Sequence, residues 1–361
     1  MSVKKRKVLS WLVLLALLSL LAGCAPAEAP AGPESEARDD VFYLTLAHFQ
    51  PATHPVETTL IQGWIDALEE ATDGRIQVTS FPGETLLPGT EIYEGVVDGA
   101  ADIGHSAYAY TRGRFPVMET FLVPGISFNN AYVSDQVAME GIRQLQPAEL
   151  EDVKHLFTFS TGRGDLLMQL PIRSKEDLAG VEVGVTAGQF AEAIRLLGGT
   201  SAVFTMPEHY EVISRGLTQG VLAPMEVLRS FRIGEITGHV TVTPFLYNQL
   251  LFMVMNKDTW NALPPDLQQT VEEVTEAYYE EVVAGFYDRL NEAVLDWIAE
   301  EELEMEIITL EAAETERWIE LLHPILQDHQ AYLEEKGLPG EAILDTVQQL
   351  ADDYNARYGD L

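Results

Sequence analysis

Short strand-like runs alternate with amphipathic helical runs from Tyr43 to Pro224, and this alternation constrains the fold more than any other feature of the chain. Residues 43–48 read as a strand, and 55–71 as a helix whose apolar face carries Val56, Leu60, Trp64 and Leu68 at four-residue spacing. Asp73-Gly74 then turns the chain into a strand over 76–81. A helix over 91–97, a strand over 102–107 and a helix over 133–144 continue the pattern. Strands follow near 155–159, 166–170 and 181–185, then a helix over 189–197 and a strand over 202–206. Pro207 opens a helix that ends at Gly220, and 221–224 is again strand-like. Such βα traffic predicts parallel sheet with helices on its faces. Glu91-Ile-Tyr-Glu94 before Asp98-Gly99 rhymes with Glu208-His-Tyr-Glu211 before Gln219-Gly220, which points to two similar α/β lobes.

After the alternation the chain becomes helical. Over 265–301, Val271, Val274, Tyr278, Val282, Phe286, Leu290, Val294 and Trp297 recur at three or four residues, as in one long helix able to brace two lobes. Helices over 314–335 and 340–358 end the chain, and Ser174-Lys-Glu-Asp177 is a capping box with Asp in its last position. The predicted division is a leader over 1–23, a tether over 24–40, a first lobe over 41–160 joined by returning C-terminal segments, and a second lobe over 161–250. Residues 251–361 supply a strand crossing the hinge, the long helix and the C-terminal helices.

The leader carries an address. MSVKKRK followed by an apolar run to Ala22 has the basic and hydrophobic regions of a secretory signal, and is short for a membrane span. The one cysteine, Cys24, closes Leu21-Ala-Gly-Cys, which resembles a lipobox whose thiol is lipidated. APAEAPAGPESEARDD, over 25–40, has the small, Pro-rich, charged composition of a disordered tether. With no second cysteine, an internal disulfide is excluded. The expectation is an extracytoplasmic, lipid-anchored protein. Cleavage of the leader removes four of 22 basic residues and moves the formal charge from −35 to −39. So acidic a surface repels nucleic acid and makes each cation near a pocket informative.

His48, His54 and His105 lack metal-ligand spacing, and neither a P-loop nor a dinucleotide fingerprint occurs, so no metal and no cofactor is expected. Gly104-His-Ser-Ala-Tyr108 begins like a nucleophile elbow but puts Tyr108 where that turn needs glycine. His105 and Ser106 therefore carry only an alternative reading, an exported lipoprotein hydrolase. A second alternative is a ligand sensor not coupled to import. Polar and aromatic side chains gather instead at predicted strand ends: His48 and Phe49, Ser106 and Tyr108, Arg163, and Tyr247 with Asn248. Ligands of open α/β sheets bind there, although each aromatic alone is equally well read as core. Arg163, in Phe159-Ser-Thr-Gly-Arg-Gly-Asp165, has three candidate partners: Asp165 two residues on, a receptor that reads Arg-Gly-Asp, or an anionic ligand held by a two-pronged guanidinium contact. Arg112, Arg114 and Arg195 are reserve cations.

Four stretches together resemble the DctP-type extracytoplasmic solute receptors of TRAP transporters: LTLAHFQPATHPVETTLIQGWIDALEEATDGRIQVTSFPG, YEGVVDGAADIGHSAYAYTRGRFPVMETFLVPG, LPIRSKEDLAGVEVGV and LLFMVMNKDTW. The resemblance implies a two-lobed, periplasmic-binding-protein-like α/β fold that captures a small organic acid and delivers it to small and large membrane subunits. It implies no catalysis. It also implies departures: Glu182 and Gly184 stand where the family usually has Lys and the Arg that clamps the ligand carboxylate, while Glu226 stands where the family often has Glu. Arg163 matches a second, less constant family arginine, and on that match is expected to be the ligand's cation.

Overall fold

The structure, a computed structural model, describes residues 41–360. The expectations for the leader, for Cys24 and for the tether lie outside the described residues. Eleven strands form two sheets among the described residues, β1 Phe42–His48, β2 Ile76–Phe81, β3 Ile103–Ala107, β4 Val153–Arg163, β5 Asp165–Met168, β6 Glu182–Val185, β7 Thr200–Val203, β8 Gly220–Ala223, β9 His239–Val242, β10 Asn248–Asn256 and β11 Glu306–Thr309. The first sheet has the order β2-β1-β3-β10-β4 and the second β11-β9-β5-β8-β6-β7.

Neither sheet is purely parallel, which corrects the expectation from βα alternation. β1 runs parallel to β2 and β3, but β10 lies antiparallel between β3 and β4. In the second sheet β5 is antiparallel to both β8 and β9. The cause is connectivity. β4 ends at Arg163 in one sheet and β5 begins at Asp165 in the other, so the chain crosses through Gly164 alone. It returns over residues 243–247 into β10, where Asn248 pairs with Arg163. β10, Asn-Gln-Leu-Leu-Phe-Met-Val-Met-Asn, is buried at all nine positions, as a central strand covered on both faces should be. β9 and the edge strand β11 have no counterpart among the sequence expectations. The expected strand over 202–206 ends at Val203, and the helix expected from Pro207 to Gly220 is shorter, with an α-helical part over His209–Ser214.

The long helix is broken. Pro265–Tyr278 is α-helical, Tyr279–Val283 widens to a π-turn, and Gly285 takes φ +69° before Phe286–Glu300 resumes. Hydrophobic period survives the break, so the sequence pattern runs straight through it. Two carboxylates hold the joint by capping each other's helices. Asp135, in the helix Ala131–Leu145, accepts the Gly285 N–H at 2.8 Å. Asp288 accepts the Ala131 and Tyr132 N–H groups at 2.7 and 2.9 Å, at the start of Asp135's own helix. Each satisfies donors that a helix start leaves unpaired. Burial pushes both carboxyl groups above the ordinary range, Asp135 strongly, against the hydrogen bonds they accept. The first helical arm is fixed against the N-terminal helix Gln62–Ala71, whose fully buried Trp64 donates to Thr275 Oγ1 at 3.1 Å. The capping box at Ser174 is present as expected.

Candidate functional site

A closed cavity lies between the two sheets, where β1, β3, β6, β7 and β8 end and β10 begins. Phe49 and Gln50 follow β1, Tyr110 follows β3, Thr186 follows β6, Glu226 follows β8, and Gln249 opens β10. Tyr247, Thr161 and Tyr287 complete the wall. Every one of these side chains belongs to a residue no more than 9% exposed. The free space is about 30 Å³, room for one or two water molecules. An organic solute enters only if the walls part.

The polar atoms around this space are oriented from behind. His105 Nδ1 lies 2.8 Å from the Phe252 carbonyl, so it carries the proton and donates; its Nε2, 2.9 Å from Gln50 Nε2, then accepts from the amide. That fixes the Gln50 side chain with its carbonyl oxygen buried and unpaired. Burial drives His105 down to about 3, so the ring is neutral at physiological pH. Gln249 is 3% exposed, and both of its amide atoms lack a partner. A buried amide left unpaired costs about 1–3 kcal/mol, so Gln249 favours whatever polar group in the cavity, water or solute, pairs with it. Tyr110 Oη accepts the Met206 N–H at 2.7 Å, a hydrogen bond that spans the cavity's two walls. Tyr247 stacks on Phe190 with centroids 4.5 Å apart.

Of the residues expected from sequence, Phe49, Tyr247 and Glu226 line the cavity. His48 does not: its Nε2 is 2.8 Å from Glu57 Oε2. Burial works to raise the Glu57 carboxyl, but hydrogen bonds from His48, Gln62 and Ser80 outweigh it and hold the group below its ordinary value. Tyr108 bonds Thr158 Oγ1 at 2.7 Å in the core, and Asn248 is saturated by Ser134, Ser160 and the Phe121 carbonyl. Ser106 donates to the Gly89 carbonyl at 2.8 Å. As strand neighbours, His105 and Ser106 face opposite sides of the sheet, so His105 does not reach that hydroxyl.

The placement of Arg163 departs from the expectation of a ligand clamp. It is exposed and lines a separate surface pocket with Asp165, Asp288 and Glu292. Nor does it form an ion pair with Asp165, whose Oδ1 accepts the Thr243 N–H at 2.8 Å. Gly184 offers no room for the family's side chain: a Cβ there would lie 2.6 Å from His209 Nδ1. A larger concavity of about 570 Å³ opens beside the helix Ala131–Leu145, but its charges at Lys154 and Arg143 are already paired with Glu272 and Glu140. Sequence reasoning missed Gln50, Tyr110, Thr161, Thr186, Gln249 and Tyr287. Four of them sit within three residues of an expected strand end, and that position was the signal. Among the described residues no group of three or more His, Cys, Asp or Glu is placed to hold a metal, and no helix is long and apolar enough to cross a membrane.

Residues 46–332 match the DctP family, described as bacterial extracellular solute-binding protein, family 7. A solute-binding protein of Roseobacter denitrificans is 26% identical over 211 residues, which cover 57% of this chain and 64% of that relative. The chain thus aligns with a little under two thirds of that relative's length. A TRAP periplasmic solute-binding protein from Bordetella bronchiseptica, solved with bound (R)- and (S)-mandelate, is 26% identical, with a TM-score of 0.77 over 86% of this chain and 99% of its own. A marine metagenome TRAP solute-binding protein specific for aromatic acid ligands superposes with a TM-score of 0.82 at 21% identity, over 87% of this chain and 99% of its own. That similarity concerns the fold.

Proposed function

The chain belongs to bacterial extracellular solute-binding protein family 7, a family of receptors, and from that premise we propose that it captures a small organic acid for a TRAP-type importer. The observation that carries the reading is Gln249, a buried amide with neither atom paired, in a closed cavity at the strand ends between two sheets. A solute that pairs with it recovers what the empty wall forgoes. Delivery to small and large membrane subunits, and absence of turnover, belong to the same proposal. The Ser106 hydroxyl, whose proton is donated to the Gly89 carbonyl, supports a receptor over a hydrolase.

We carry the lobe boundaries at 160 and 250 as part of this reading; two sheets joined by short crossings near Gly164 and residues 243–247 support them. Lipid anchoring through Cys24 rests on the Leu-Ala-Gly-Cys motif. Cys24→Ser should release the protein from membranes and leave solute affinity unchanged; unaltered membrane attachment would remove the anchor. The receptor itself is tested by thermal shift with a panel of organic acids and uncharged sugars. At least one acid should raise the midpoint, because a ligand that binds only the folded state stabilises it, and Gln249→Leu should weaken that acid's binding. A flat response to every acid refutes the reading.

A further inference from the structure

Glu226 is the one acidic or basic side chain on the cavity wall, and among the described residues no lysine or arginine pairs with it. The residue is 4% exposed. Its carboxylate accepts from Ser230 Oγ at 2.5 Å and faces His54 Nε2 at 3.4 Å. His54 Nδ1 accepts the Val56 N–H at 3.0 Å, so Nε2 is the nitrogen that presents a proton toward Glu226. No lysine or arginine among the described residues lies within ion-pair distance of Glu226. Arg232 is engaged by Glu235, and the Arg229 guanidinium sits over the Trp297 ring at 5.9 Å.

Part of the wall has the same electrostatic sense as Glu226, the opposite of the unpaired Gln249 amide donor. The Gln50 carbonyl oxygen, on the amide that His105 orients, is a buried acceptor without a hydrogen-bond partner in the protein. Phe49, Tyr110, Tyr247 and Tyr287 bring aromatic rings to the wall, and such rings attract cations through their quadrupoles. Buried charges persist in proteins when something pairs with them, and a carboxylate walled by rings and acceptors is complementary to a positively charged nitrogen.

We propose that the solute bound in this cavity carries a positively charged nitrogen, an ammonium or amidinium, that sits against Glu226 and the surrounding rings. The inference rests on the receptor reading above and narrows it: the organic acid is zwitterionic, its carboxylate held by neutral donors such as the Gln249 amide and the tyrosine hydroxyls. Glu226 is then the specificity-determining residue.

The test compares benzoate, 4-(aminomethyl)benzoate and benzylammonium as probes on the full mature protein and on Glu226→Gln, read by thermal shift and titration calorimetry. The expected result is binding of the zwitterion, weaker or no binding of benzoate, and a loss of about thirtyfold or more for the zwitterion in Glu226→Gln, since truncating one partner of a buried charge pair leaves the other unpaired. Glu226→Asp should keep the preference for the cationic group, which separates charge recognition from simple misfolding. Equal binding of benzoate and the zwitterion, or zwitterion binding indifferent to Glu226→Gln, overturns the inference and leaves the receptor reading standing. No binding of any of the three overturns the inference, while the broader acid panel still decides the receptor reading.

Discussion

Asp165→Asn should change how stability depends on pH, by an amount the structure sets. Asp165 is 1% exposed, and burial raises its carboxyl from the usual 3.8 to about 6, against the opposing Thr243 N–H and the Arg163 charge. A raised folded-state value means that the native protein binds the proton more tightly than the unfolded chain. The stabilisation from this group is therefore fully present below pH ~4 and is lost as pH rises through about 6. Roughly two pKa units at 1.36 kcal/mol each make the loss about 3 kcal/mol by pH 7. An asparagine keeps the carbonyl that Thr243 N–H needs and has nothing to ionise. Urea denaturation of both proteins from pH 3.5 to 8 isolates the site, because the difference curve cancels every other titration. It should rise in favour of Asp165→Asn by about 2.4 kcal/mol between pH 4 and 7, because the unfolded chain is already part ionised at pH 4. A flat difference curve refutes the argument, and a fall would mean that Asp165 is a stabilising anion.

Arg163→Ala should leave solute affinity unchanged in calorimetry, because the guanidinium lines a pocket separate from the cavity, and should push the Asp165 transition to higher pH. A tenfold loss of affinity would restore Arg163 as a ligand clamp. Gly285→Ala places a side chain at φ +69°, with its Cβ 3.3 Å from that of Tyr132, and should cost about 1–2 kcal/mol in denaturant midpoint analysis; a neutral result would show that the break is not held in place. Asp288→Ala orphans the Ala131 and Tyr132 N–H groups, and should lose about 1–2 kcal/mol and accelerate amide exchange at those two residues; protection equal to wild type would sink the capping account.

Elements whose pattern is set by burial against a single neighbour were legible in the sequence. Ile76–Phe81 and Gly340–Tyr358 lie where periodicity puts them. β11 escaped because it is an edge strand with only Ile308 buried, which leaves no alternation to read. Gly285 escaped because the apolar stripe on both arms keeps helical spacing across it, and Asp135, the carboxylate that accepts the Gly285 N–H, comes from a helix distant in sequence. The cavity divides in the same way. Phe49, Tyr247 and Glu226 advertise themselves by size or charge, whereas Gln50 and Gln249 act through unpaired amide atoms that only packing reveals. Arg163 misled because its pairing in the crossing strands, opposite Asn248, decides which surface it joins.

About 30 Å³ of free space cannot admit an organic solute, so function requires an open form, and the covalent links between the sheets limit how it arises. β4 passes into β5 through Gly164, the chain returns over residues 243–247, and Phe286–Glu300 leads into β11. A Cβ on Gly164 would lie 2.6 Å from the Tyr247 ring, so the first crossing packs directly on a cavity wall. Bending there must move Tyr247. Across the cavity, the Tyr110 hydroxyl to Met206 N–H bond is a direct polar link between walls that must break on opening. Tyr110→Phe removes that acceptor and nothing of the ring's contact with Phe49, 5.2 Å away. It should therefore shift the population toward the open form, lowering apparent affinity by the factor that the closed state loses, on the order of tenfold for a neutral hydrogen bond of about 1.4 kcal/mol. Small-angle scattering of the ligand-free variant should show a larger radius of gyration than wild type. An unchanged radius together with unchanged affinity would mean that the two walls stay together without this bond, and that the crossing segments alone set the closed geometry.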